Sequence, residues 1–439
     1  MYIKNISAVL LSGLLLSSIS ANALTPQTTN NIILSTNLVS LQTIINDANI
    51  SLSGDKTVYF GSIDSLVRKN NESIKSFEKT LASILSTDTS SQFKDQIASY
   101  ELQNISLSQQ AAGYQASADE LYKAAEATQD ATAKAALEAQ ANAMALLAQQ
   151  AQMSIAMNNG IISGLEDSQE DAKHQIEDTY ASTKNQLDNA ADQIVIGAET
   201  QYITLVTIKN NIDTLNRSIS AVDRSIAVMQ TQLEIGMASE LDLKALENQR
   251  QTLQSNLESL KSQQETLQQS LSIMLGNEVG TSVGVETLPY VSEYKLDNIN
   301  YDEDLEQAMD NSYAIWQKAD AARKASNEYM DSSYMTDDAY QAAKIDLEAT
   351  KKQTENSFKA LYDTLLEKQR LLEQANENLT FAEKNFKVSE VKYNIGNISK
   401  LEYENAKDTL ESSKDAIKTA EVELFTAYNN YQWGIKGVI

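Results

Sequence analysis

"YNIGNISKLEYENA", residues 393–406, sets a glycine inside a segment whose other residues favour helix, and "LEIGMASELDLKAL", 233–246, repeats the arrangement 160 positions earlier. The flanks show what the first glycine interrupts. Leu205, Ile208, Ile212, Leu215, Ile219, Val222, Ile226, Met229 and Leu233 follow at alternating spacings of three and four, an unbroken heptad seam. A second seam runs through Leu243, Leu246, Leu253, Leu257, Leu260, Leu267, Leu271 and Met274, with Arg250 and Gln264 at polar positions. A left-handed residue ends a helix at little cost only if it is glycine, and serine is a good N-cap. Gly236 to Ser239 therefore reads as the apex of an antiparallel helical hairpin.

The second copy obeys the same logic. Leu365, Leu372, Leu379, Phe386 and Tyr393 stand seven apart before Gly396. Tyr403, Ala406, Leu410, Ser413, Ile417, Ala420, Leu424, Ala427 and Tyr431 follow Ser399. A continuous helix from Asp337 to Tyr393 would be about 85 Å long. "YFGSIDSLVRKNNESIKSFEKTL" (59–81) and "INYDEDLEQAMDNSYAIWQKADAA" (299–322) both begin extended and pass into a helix carrying an Asn. The sequence thus divides into two tandem units, 57–276 and 299–439. The polar linker 277–298, with Gly280, Gly284 and Pro289, reads as a flexible connection.

Composition agrees with a helical chain: 439 residues with 42% hydrophobic content, 14 Gly and 2 Pro. One His and no Cys remove the usual nucleophile, imidazole base, soft metal site and disulfide framework. No catalytic residue, metal ligand or cofactor is assigned. A net charge of -25 argues against nucleic acid or an anionic lipid surface as partner. Residues 1–23 read as a Sec signal peptide, with Lys4, an apolar run from Ala8 to Ile19 and the cleavage site Ala21-Asn22-Ala23. The segment 24–56 then forms an N-terminal extension. No later stretch approaches the roughly 20 apolar residues of a spanning helix.

The motif I-G-x-x-S-x-L at Ile235–Leu241 and Ile395–Leu401, the tandem units, the signal peptide and the helix near Asn70-Asn71 together resemble the TolC-like outer-membrane factors, the outer membrane efflux proteins of drug efflux and type I secretion. The resemblance implies an all-α tunnel of coiled-coil hairpins built by a homotrimer. It implies hairpin tips that dock to a periplasmic adaptor (membrane fusion) protein serving an inner-membrane pump, and a location in the cell envelope, at the outer membrane or a periplasm-like space. Gly236, Ser239, Gly396, Asn397, Ser399 and Lys400 fall at the apices that would meet the adaptor. Glu402, and Asp242 at the equivalent place in unit one, match the family's acidic tunnel constriction. A second reading makes Glu402 the first-turn acid of a helix. Asn405, where a second acidic ring would fall, is uncharged, and Ile398 stands where a basic latch partner is expected.

One departure matters. The family carries a pair of barrel strands in each unit, whereas unit two offers only "DSSYMTDD" (331–338) there, and unit one carries about 80 extra residues within 85–200. The Ala- and Gln-rich 124–157 is strongly helical in propensity, "MNNG" (157–160) is expected to turn it into a second hairpin, and "QIVIG" (193–197) is the nearest thing to a strand. Membrane insertion by a barrel is therefore not expected. His174, beside Asp171 and Glu177, reads as a bland surface residue, and Glu402 and Glu404 do not face one another on a helix. Three classes stay open: an exported conduit, a structural coiled coil of the envelope, and a hydrolase disfavoured by residue supply. A tunnel-wall helix needs a second apolar stripe; Phe381, Val388 and Ile395 line up as one, while unit one adds only Val228 and Ile235.

Overall fold

The computed structural model describes residues 56–331 and 337–439. The expected signal peptide 1–23, the extension 24–56 save its last residue, and most of 331–338 lie outside the described residues. In chain order, β1 (Lys56–Val58) leads through a 3-10 turn to α1 (Ile63–Asn70) and α2 (Glu72–Leu85). Then come α3 (Ser91–Ala127), α4 (Ala131–Glu234), α5 (Glu240–Met274), β2 (Val283–Val285) and α6 (Glu293–Asp297). The chain continues through α7 (Tyr301–Asn311), α8 (Tyr313–Asp331), α9 (Asp337–Asn394) and α10 (Lys400–Ile435). The chain is all-α with long antiparallel coiled-coil hairpins, and its two strands among the described residues hold three residues each.

Two compact bodies divide the described residues: a main body of 56–75 with 188–439, and an insert body of 76–187. In the main body, α4 and α5 form the first long hairpin and α9 and α10 the second. Arg250, the polar seam position of α5, donates from Nε to Asp223 Oδ1 at 2.5 Å, so the seam closes across the hairpin with a charge pair. Across the second hairpin Tyr393 stacks on Tyr403 with ring centroids 4.7 Å apart. The hairpins are joined through α4 and α10: Arg217 pairs with Asp415 and Arg224 with Asp408, one heptad apart on each helix and antiparallel.

The core sits at the end of the hairpins remote from their apices. Tyr202, Leu205, Leu271, Phe358, Leu365, Leu424 and Tyr431 are fully buried there, and each such Leu or Phe contributes about 1.5–3 kcal/mol. Toward the apices the seam residues are only half-buried. The expected flexible linker is instead packed: β2 pairs in parallel with β1, Thr57 opposite Gly284, and Val283, Val285 and Val291 are buried. Tyr202 holds this pair, its hydroxyl donating to Val58 O at 3.0 Å and accepting from Glu286 N at 3.0 Å; burial pushes the phenol up to about 12. Three residues are too few for strand alternation to be read, which is why the sequence suggests a loop.

A second pairing ties the helix ends together, once per unit. The helix of 59–81 is broken at Asn71, whose Nδ2 donates to Met274 O at 3.0 Å; Asn311, before the break at Ser312, donates to Ile435 O at 2.9 Å. Gly276 and Gly437 follow with φ of 79° and 82°. A Cβ on Gly276 would lie 2.5 Å from Asn70 O, and one on Gly437 would collide with the backbone of Asn311.

In the insert body α3 runs antiparallel to the first part of α4. Ala111, Ala118 and Ala125 on α3, and Ala141 and Ala148 on α4, are buried at heptad spacing, so alanine forms this seam. The turn expected at 157–160 is not there, because α4 passes through it unbroken. The chain turns at 128–130, where Asp130 Oδ1 caps α4 by accepting from Thr132 N at 2.8 Å. Asn158 belongs to the seam and donates to Asn104 Oδ1 at 2.9 Å, so it continues the helix that its neighbours suggest it would end. "QIVIG" is likewise helix, with Val195 buried.

Candidate functional site

The two hairpin apices are built alike. Gly236 and Gly396 take φ of 73° and 75°, and the residue after each donates back five positions to close the helix end: Met237 N to Gln232 O at 2.7 Å, Asn397 N to Lys392 O at 2.8 Å. A Cβ at either glycine would meet no atom within 4 Å, so backbone conformation alone demands glycine there.

Ser239 and Ser399 then open α5 and α10 as N-caps. Ser239 Oγ accepts from Asp242 N at 3.2 Å while Asp242 Oδ2 accepts from Ser239 N at 3.2 Å; Ser399 Oγ accepts from Glu402 N at 3.2 Å while Glu402 Oε2 accepts from Ser399 N at 2.7 Å. Both are capping boxes. Hydrogen bonds from the serine hold Asp242 below the usual carboxylate range, and Glu402 likewise. Of the two readings of Glu402, the helix-terminal acid is the one visible within a single chain. Asn397 and Lys400 are exposed.

The α4–α10 ladder decides how the apices stand to one another. Continuing its register twelve residues beyond Arg224 and Asp408 brings Gly236 level with Gly396. The sequence motif located the turns but not the surface around them. Ile235, Met237 and Leu241 are all exposed, so the first tip is apolar, while the second presents Ile395 beside Asn397 and Lys400. Phe381 and Val388 on α9 and Ile395 just past its end form a stripe 67%, 54% and 72% exposed, on a face the α9–α10 seam leaves free.

The remaining sequence candidate offers no chemistry of its own. His174 lies on an exposed face of α4 between Glu170 and Glu177, with Nδ1 3.3 Å from Glu177 Oε2. No group of three or more potential metal ligands is found among the described residues. A buried polar cluster that the sequence did not announce joins α4 to α10. Glu199 Oε2 accepts from Trp433 Nε1 at 2.7 Å and Asn429 Nδ2 at 2.8 Å, and burial raises its pKa against these two bonds.

No protein-family description matches the chain, and no curated protein matches it. Among solved structures, the outer membrane protein VceC of Vibrio cholerae is 12% identical over 60% of this chain and 74% of its own, with a TM-score of 0.45. The CmeC outer membrane channel of Campylobacter jejuni is 11% identical over 62% and 68%, at 0.38. A membrane protein of Pseudomonas aeruginosa is 13% identical over 57% and 72%, also at 0.38.

Proposed function

We propose that the chain is an exported conduit component of the cell envelope, three copies of which close their hairpins into a helical tunnel. The observation that carries this reading is the α9 stripe. α10 is covered on both flanks, by α9 and by α4, whereas α9 exposes a heptad-spaced apolar face that water would not favour. A neighbouring copy covers it in a closed ring. The level apices supply a flat rim, and their exposed Ile235, Met237, Leu241 and Ile395 suit an adaptor hairpin that links the tunnel to an inner-membrane pump. Asp242 and Glu402 would then stand close to the narrow end, each keeping one carboxylate oxygen outside its capping bonds. The role requires no covalent chemistry and no cofactor, and the sequence resemblance to TolC-like factors supports the same reading.

The test is the mass of the purified chain by light scattering, followed by electron microscopy of the particle. A trimer with a central density is expected. A monomer or dimer at every concentration would overturn the conduit and leave a structural coiled coil.

A further inference from the structure

The insert body carries a band without charge. No Asp, Glu, Lys, Arg or His occurs from 102 to 118 on α3 or from 139 to 165 on α4, in a chain of which 22% of residues are charged. The hairpin register sets the two runs side by side. Tyr122 Oη donates to Asn142 Oδ1 at 2.7 Å and Asn104 Nδ2 to Asn159 Oδ1 at 2.8 Å, so 102–118 lies along 145–161. Glu101 and Asp119 bracket the band on α3, Glu138 and Glu166 on α4. At 1.5 Å per residue its common height is about 25 Å, the height of the apolar belt on outer-membrane proteins.

Within the band apolar side chains stand exposed among glutamines and serines. Leu102 is 67% exposed and Met157 71%, with Ile105 and Met153 also exposed. The amides of Asn104, Asn158 and Asn159 bond to one another, an arrangement that also suits polar groups placed in hydrocarbon. Gly113, Gly160 and Gly164 have open space where a Cβ would stand, which lets a second helix approach closely. No helix among the described residues is long and apolar enough to cross a membrane by itself. The outward glutamines, such as Gln109 and Gln149, account for this and would turn toward neighbouring hairpins. A helix pair covered only by other copies in water would keep charge on its wet faces. Within the band, charge is missing all round both helices.

We infer that the insert hairpin crosses the hydrocarbon of a bilayer at 102–118 and 145–161, as one of several hairpins, with its charged tip 119–138 on the far side. The inference rests on the insert body and on its association with the same hairpin of other copies, and does not depend on the conduit.

The chain has no cysteine, so single-cysteine variants report cleanly. Met157→Cys and Leu102→Cys, each carrying an environment-sensitive fluorophore, are added as the full chain to vesicles of zwitterionic phosphatidylcholine, which do not repel a chain of net charge -25. The expected result is a blue-shifted emission that lipids with mid-chain nitroxides quench several-fold. A Gln129→Cys tip should react with an external impermeant maleimide only after the vesicles are permeabilised. Emission that nitroxide lipids do not quench overturns the inference. If the blue shift already grows with protein concentration without vesicles, the band is covered by a second copy instead. A tip that stays reactive from outside overturns the crossing.

Discussion

Arg224 on α4 pairs with Asp408 on α10 across the junction of the two hairpins, one heptad from Arg217 and Asp415, and that register stands Gly236 level with Gly396. A pair of long helices can slide by a heptad with little change in apolar contact. Charges repeated at the same spacing penalise the slip, because a shifted helix leaves one arginine or aspartate opposite a neutral side chain.

Reversing one member should therefore destabilise the main body and reversing both should restore it. Because the side chains are about a third exposed, a coupling of roughly 0.5–1 kcal/mol between Arg224→Asp and Asp408→Arg is expected in urea unfolding. Strict additivity of the two losses would remove the pair from the account of register.

The left-handed glycines at the helix ends, Gly236, Gly276, Gly396 and Gly437, separate into two kinds. Gly396→Ala meets open space and should cost about 1–2 kcal/mol from conformation alone. Gly437→Ala adds a collision with the Asn311 backbone and should cost distinctly more. Equal shifts in the unfolding midpoint would contradict the close approach.

The capping box makes the second apex sensitive to acid. The pKa of Glu402 is lowered in the folded state, so its contribution is present above the ordinary carboxylate value of about 4.3 and is lost as pH falls through the lowered one. Ser399→Ala should move the Glu402 titration back up toward that value, read by carboxyl NMR, and speed amide exchange at the tip. A titration indifferent to Ser399 would refute the box.

Glu199 has the opposite sign. Burial raises its folded pKa, so its favourable contribution is complete below about pH 4.3 and is lost as pH rises through the raised value. Glu199→Gln keeps an acceptor for Trp433 and Asn429 and should flatten the pH dependence of stability, gaining most at neutral pH. Glu199→Leu leaves both donors unpaired and should cost about 1–3 kcal/mol.

Val388→Asp tests the free face of α9. Far-ultraviolet circular dichroism should be unchanged, since Val388 is exposed in the single chain, while the trimer expected by light scattering should fall to monomer. An intact trimer would move the closing contact elsewhere.

What the residues determine locally was legible from the sequence alone. Heptad spacing, a glycine where φ must be positive and a serine that caps a helix each act within a few turns of helix, so the seams, the apices at Gly236 and Gly396 and the caps at Ser239 and Ser399 could be read directly, while the acid that closes each capping box came from the structure. The same locality misled at 157–160, where Asn and Gly suggested a turn; the alanine seam on either side holds the helix straight, and Asp130 caps the real start. Only the tertiary structure decided what depends on partners far along the chain. Gly276 and Gly437 are demanded by the carbonyls of Asn70 and Asn311, β1 exists because β2 lies beside it, and the apices are level because α10 packs on α4. These contacts join segments more than a hundred positions apart. No periodicity within either segment encodes them, since each is set by which helix faces lie together once the seams have closed.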